Sequence, residues 1–222
     1  MSSTLERNRS LFSGFFGSVY SAYIERERFS RVIGRVLWAS DARPYYASMD
    51  VVAGMPDGST IVDCPCGSGV ALRALRPDQR VRYLGFDLAP TMVERAERRA
   101  AASGLRQAVF QQAEATELPL DDGAADLFLS YFGLHCFDDP EGALREAARC
   151  LRPGGRLAGS AIIRGHRRLD RLRVRPGEGG FGRVGDADEL AHWLSSAGFE
   201  NVELDTSGIF SVFSAIRPGS GE

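Results

Sequence analysis

From residue 60 onward the chain alternates short apolar runs with stretches of helical periodicity, and this alternation leaves few folds open. "TIVDC" (60–64), "VRYLGFD" (81–87), "AVFQQAE" (108–114), "ADLFLSYF" (125–132) and "GRLAGSAII" (155–163) read as strands. Between them lie a short helix from about Val70 to Leu75, a helix over 89–104 and a helix over 138–155. Pro90 sits near the start of the second and Gly104 stops it. Asp139 is placed to cap the third, Pro140 takes its first position, and Arg152, Pro153 and Gly154 end it. Strands joined by helices build a parallel sheet covered on both faces. The pattern changes once more after residue 185. "DADELAHWLSSAGF" (186–199) opens with Asp186 and Glu189 at capping-box spacing. The strands "NVELDT" and "IFSVFSAI" then follow with only Ser207 and Gly208 between them. So short a gap makes a hairpin and forbids a parallel crossover, so the sheet ends with an antiparallel strand.

Ahead of this region, apolar residues recur at helical spacing over 11–24 and 29–37. Pro44 opens a third helix whose apolar side carries Tyr45, Tyr46, Met49 and Val52. "GMPDGST" then breaks the chain, so residues 1–56 are expected to form a helical cap on a domain spanning 57–222. The start, with charge of both signs, gives no expectation of a signal peptide. No apolar run approaches the ~18 residues of a membrane span. Four cysteines in 222 residues make no disulfide framework, which points to a reducing cytoplasm. Cys64 and Cys66 lack a second pair to complete a zinc site, and no metal is expected. A net charge of -2 gives no general attraction to nucleic acid. All the basic residues are arginine. The absence of lysine excludes a Schiff-base nucleophile, a phosphate-loop lysine and a tyrosine–lysine dehydrogenase pair.

Ligands of such sheets sit beyond the carboxyl ends of the strands. After the first strand come Asp63 and a loop with Gly67 and Gly69, where a ligand can approach the backbone closely. After the second comes Asp87, eighteen positions beyond Gly69 and suited to accept hydrogen bonds from ribose hydroxyls. Glu114 follows the third, placed to accept from an adenine amine. Ser130, Tyr131 and His135 lie at the end of the fourth. Four strand ends in order describe an adenosine-shaped site. The third glycine of a dinucleotide-binding loop is missing after Gly69, which disfavours a nicotinamide dehydrogenase.

The segments "VDCPCGSG", "GFDLAPTMVERA", "AEATELPL", "DLFLSYFGLHCFDDP", "ALREAARCLRPGGRL" and "ELAHWLSSAGF" together resemble the class I S-adenosylmethionine-dependent methyltransferases. Within them they look like the small-molecule group that includes the quinone-biosynthesis enzymes. The resemblance implies a doubly wound, Rossmann-like, seven-stranded sheet with its last strand antiparallel, and S-adenosylmethionine as cofactor. It assigns Gly67 and Gly69 to the methionine moiety, Asp87 to the ribose, and Leu88 to the adenine or ribose edge. Glu114 and Ala115 would bound the adenine, the Ser130 backbone would lie near the methionine end, and Asp63 would orient the loop or reach the ammonium group through water. Two positions depart from the pattern: Pro65 stands where glycine is common, and Ala89 where a hydroxyl cap is favoured. Methyl transfer from a sulfonium is a direct displacement that asks the protein chiefly for alignment, with a base only where the acceptor must lose a proton. His135 and Tyr131 are the candidates for such a group. The small-molecule acceptor would be apolar, if the aromatic N-terminal helices cover the site, or anionic, if the arginine-rich stretch 164–183 reaches it. Two alternatives remain: an S-adenosylmethionine-binding protein without turnover, and a nucleic-acid methyltransferase. The second lacks its Asn/Asp-Pro-Pro-aromatic signature at the fourth strand end.

Overall fold

The computed structural model describes residues 43–165 and 182–219. The expected helices over 11–24 and 29–37, and residues 166–181 of the arginine-rich stretch, lie outside the described residues. The strands are β1 (Thr60–Asp63), β2 (Arg82–Asp87), β3 (Ala108–Gln112), β4 (Ala125–Tyr131), β5 (Leu151–Ile162), β6 (Glu200–Ser207) and β7 (Phe210–Ile216). They form one sheet in the order β3-β2-β1-β4-β5-β7-β6. β1 to β5 pair in parallel, and β7 runs antiparallel to both β5 and β6. The two-residue gap after β6 makes the hairpin, with Gly208 at φ 62° in its turn. The last strand of the chain is thus the antiparallel one, but β6 forms the edge.

Five α-helices are described: α1 (Arg43–Ser48), α2 (Asp50–Ala53), α3 (Pro90–Ala102), α4 (Pro140–Cys150) and α5 (Ala187–Ser196). Successive residues of each central strand point to opposite faces. Val62, Leu84, Phe86 and Phe128 pack with Leu144 of α4 and Leu190 and Trp193 of α5. Their neighbours Ile61, Tyr83, Leu127 and Leu129 pack with Met49, Val52 and Ala96 on the other face. Both faces are covered, which explains strands that read as continuous apolar runs. The helix starts follow their sequence signals. The Asp139 side chain accepts from the Gly142 N–H at 2.8 Å, and Asp186 and Glu189 cap each other's backbone at 3.0 Å.

Several boundaries differ from the sequence reading. Val70–Ala74 is a 3-10 helix, closed by Leu72 N–H to Gly69 C=O and Leu75 N–H to Leu72 C=O. α4 ends at Cys150 rather than at Pro153: Leu151 is fully buried and already pairs with Ala125, and regular pairing resumes at Leu127 with Arg156. β4 stops at Tyr131 because Phe132 turns out of the strand at φ 54°. The helix opened by Pro44 is interrupted at Met49, giving α1 and α2.

Candidate functional site

The strand order reverses direction between β1 and β4, and a cavity of about 330 Å³ opens there beyond the carboxyl ends of β1 to β4. Crevices at such switch points are where doubly wound sheets hold their ligands. Asp63, Gly67, Asp87, Leu88, Glu114, Ala115 and Tyr131 all line it. Three other expected residues do not. Gly69, at φ 77°, would bring a Cβ to 2.7 Å from Leu72 Cδ1 and 3.4 Å from the Ala96 backbone, so its bareness lets the loop close on α3. Ser130 is 4% exposed and lies in the sheet opposite Gly159. His135 is also 4% exposed, and its Nδ1 accepts the Ile162 N–H at 3.2 Å. Burial drives its pKa down to about 3, which keeps the ring neutral. His135 therefore braces the exit of β5 rather than facing the cavity.

Asp87 is the junction of the site. Its Oδ2 accepts the Gly67 N–H at 2.9 Å and its Oδ1 the Ala89 N–H at 2.9 Å. One carboxylate thus ties the glycine loop after β1 to the start of α3. It also explains how α3 begins without a side-chain cap at Ala89, since the preceding acid already takes that residue's N–H. Burial raises the Asp87 pKa to about 6, against the lowering effect of these two amides. Asp63 lies deeper, at 2% exposure, with the Tyr83 hydroxyl donating to its Oδ2 at 2.5 Å. Burial lifts its pKa to about 7; the Tyr83 bond opposes that shift and the Asp87 charge adds to it. Gly67 adopts φ 51°, with open space where a Cβ would stand. Pro65, in a cis bond to Cys64, packs against Gly133, where a Cβ would fall 2.3 Å from its Cδ.

Tyr131 sits under α1. The Ser48 hydroxyl donates to the Tyr45 C=O at 2.7 Å, and its oxygen is 3.2 Å from the Tyr131 hydroxyl. A hydroxyl has one proton, and the carbonyl can only accept. Tyr131 therefore donates to Ser48, leaving phenolic lone pairs for other partners. Burial raises its pKa above the ordinary phenol range.

Sequence reasoning missed Phe132, Phe137 and Cys136 as lining residues, and placed Tyr45 only on an apolar helix side. The rings of Tyr45 and Phe132 meet at 4.8 Å between centroids. "YFGLHCF" carried the signal in its density of aromatics, but the turn at Phe132 that brings them to the cavity is a backbone event. Cys64, Cys66 and Cys136 also face the cavity, and burial raises all three thiols. Among the described residues, no group of ligating side chains is arranged to hold a metal ion.

The charge of the lining is one-sided. Asp63, Asp87, Glu114, Asp138 and Asp139 contribute carboxyl groups, and no described arginine or histidine lines the cavity. Such a cavity suits a ligand that brings positive charge and hydroxyl or amine donors. S-adenosylmethionine offers a sulfonium, an ammonium, two ribose hydroxyls and an exocyclic amine, so the residues present fit it.

Residues 62–159 match the model of a methyltransferase domain. The chain is 34% identical to the 27-O-demethylrifamycin SV methyltransferase of Amycolatopsis mediterranei over 64% of its own length, and spans about half of that relative, 54%. It covers 40% and 44% of two other curated relatives. A demethylmenaquinone methyltransferase of Clavibacter sepedonicus aligns nearly end to end, with 27% identity over 98% of this chain and 95% of the relative. Among solved structures, phosphoethanolamine N-methyltransferase 2 of Haemonchus contortus, in complex with S-adenosyl-L-methionine, superposes with a TM-score of 0.76. That match covers 98% of this chain and 60% of the other; at 13% identity it shows the fold alone.

Proposed function

We propose that this chain, whose residues 62–159 match a methyltransferase domain, methylates a small molecule with S-adenosylmethionine. The observation that carries the reading is Asp87, a buried carboxylate wired to the Gly67 and Ala89 amides in a cavity whose charged lining residues are all acidic. Each Asp87 oxygen keeps a free lone pair, and these would accept the two ribose hydroxyls. Gly67 would let the loop approach the methionine end, Leu88 would lie against the adenine or ribose edge, and Glu114 and Ala115 would bound the adenine. Asp63 would face the ammonium group, directly or through water. Gly69 would act by closing the loop on α3, and Ser130 by its place in the sheet. When bound, the cofactor supplies a methyl group on sulfonium sulfur, and direct displacement requires only that the acceptor be held in line with it.

For the acceptor side, Tyr45, Tyr131, Phe132 and Phe137 favour an apolar molecule, and the acidic lining disfavours an anionic one. This reading gives the segment before residue 57 a share of the pocket through Tyr45. Neither His135 nor Tyr131 takes the acceptor's proton in it. Tyr131 would position the acceptor by receiving a hydrogen bond, since its own proton goes to Ser48.

Isothermal titration with S-adenosylmethionine tests the cofactor assignment. Hydrogen bonds to a charged group contribute about 1.5–3 kcal/mol each, so losing two should weaken binding of the Asp87→Ala variant by ~100-fold or more. Unchanged affinity would overturn the site. Release of S-adenosylhomocysteine in a screen of apolar phenols, quinols and macrocyclic alcohols would establish turnover. Its absence across acceptors that demonstrably bind would favour a binding protein without turnover.

A further inference from the structure

The turn after β3 that holds Glu114 and Thr116 against the cavity is short and carries little apolar anchorage of its own. Glu117 N–H bonds back to Glu114 C=O at 3.1 Å, and the first residue of this segment buried in the core is Leu118. From that point the segment is gripped by two side chains of α4. Glu146 Oε1 accepts the Leu118 N–H at 2.6 Å. Arg149 donates to the Leu118 C=O at 3.2 Å, to the Leu120 C=O at 2.7 Å and to Asp122 Oδ1 at 2.7 Å. The two gripping side chains are joined to each other, Arg149 Nε to Glu146 Oε2 at 2.8 Å and Arg149 Nη2 to Glu146 Oε1 at 2.7 Å. The Arg149 C=O takes the Gly123 N–H at 2.9 Å, so the segment is held at both ends. The Glu146 side chain is 10% exposed and that of Arg149 32%. Burial opposes ionisation of Glu146, yet its bonds to Arg149 and Leu118 hold its pKa below the ordinary carboxylate value.

This arrangement exceeds what helix stability needs. Glu146 and Arg149 stand three apart on α4, where an ion pair between them by itself adds little to the helix. Apart from contacts with the Cys150 Sγ, their additional bonds go to residues 118–122, the segment that follows directly on the turn lining the cavity. A guanidinium is suited to the task because its fork holds several acceptors in fixed geometry, which an ammonium on a flexible stem does not.

We propose that Glu146 and Arg149 are positioning residues that fix the Glu114–Thr116 turn, and that they thereby set the affinity and base selectivity of the nucleoside pocket without touching the ligand. The proposal rests on the S-adenosylmethionine reading above. It extends that reading by placing adenine selectivity in part on a pair outside the cavity. Arg149→Met keeps the apolar stem and removes the fork; Arg149→Lys keeps the charge; Glu146→Gln keeps an acceptor for Leu118 and loses the charge.

The test is titration of the full chain and these variants with S-adenosylhomocysteine and with S-inosylhomocysteine, which lacks the exocyclic amine that Glu114 would receive. The parent protein is expected to prefer the adenosyl compound. Arg149→Met should weaken adenosyl binding by about tenfold or more, inosyl binding by much less, and so collapse the ratio between them. Arg149→Lys and Glu146→Gln should fall between. Hydrogen exchange should speed up at residues 114–122 in Arg149→Met and remain unchanged in β1 and β4. A folded variant that keeps the parent's ratio would overturn the proposal, as would an equal loss for both ligands, which marks a merely structural pair. If the parent itself binds neither compound, the cofactor reading fails instead, and the two failures are separable.

Discussion

Asp87 and the two glycines of the loop before it act in different ways. Asp87 draws the Gly67 amide to one oxygen and the Ala89 amide to the other, so its removal disturbs the loop and the start of α3 together. Gly67 and Gly69 both adopt positive φ, but only Gly69 is closed in by neighbours. An added Cβ costs roughly 1–2 kcal/mol at either position for left-handed backbone alone. At Gly69 it must also displace Leu72 and press on the Ala96 backbone. Gly69→Ala is therefore expected to lower the thermal midpoint clearly more than Gly67→Ala, which a paired calorimetric scan would read. Equal effects would show that the Leu72 contact relaxes without cost.

Among the elements, α5 is the clearest case of local signals that the tertiary structure keeps. Its capping box is complete, and Arg164 at the end of β5 also binds Glu189 and Asp186. Asp186→Ala removes the cap and one partner of Arg164. Loss of an N-cap costs about 1 kcal/mol, and about 2–4 °C of midpoint per kcal/mol follows for a domain of this size. Cofactor titration should be unchanged, because α5 packs against β6 and α4 and none of its residues lines the cavity. A loss of cofactor affinity in this variant would mean that α5 reaches the site. The 3-10 turn Val70–Ala74 makes the opposite point. It carries residues a helix accepts, yet it forms only a single tight turn between Gly69, which closes on α3, and Leu75.

For the whole molecule, the buried acids couple stability to pH. The ordinary Asp value is 3.8, and the folded protein raises Asp63 to about 7 and Asp87 to about 6. Between about pH 4 and 7 the folded state then holds more protons than the unfolded state, so these two groups make stability fall as pH rises through that window. Their cost is complete above about pH 7 and is absent well below pH 4. Asp63→Asn keeps an acceptor for the Tyr83 hydroxyl and removes the desolvated charge. It is expected to unfold at a higher temperature than the parent at pH 8, with the gain shrinking toward pH 5. A cationic cofactor reverses the sign, since it needs these acids ionised. S-adenosylmethionine should bind the parent about tenfold or more weakly at pH 5.5 than at pH 8, and stabilise it correspondingly less by mass action. Titrations at the two pH values with equal affinity would remove Asp63 and Asp87 from the cation's surroundings.

The order of strands and helices, the closing hairpin and the caps of α4 and α5 were legible in the residues, because each depends on periodicity, turn length or a side chain acting within a few positions. So were most of the acids at the strand ends, since a doubly wound sheet delivers its carboxyl ends to one edge regardless of detail. What only the tertiary structure decided was orientation. Gly69 turned out to serve packing, His135 turned inward to meet Ile162, and Phe132 left its strand to carry aromatic surface to the cavity. Those outcomes hang on contacts between residues distant in the chain, such as Gly69 with Ala96 and Arg149 with Leu120. Local spacing holds no record of them, because the energy that selects each arrangement arises only when the sheet has brought the partners together.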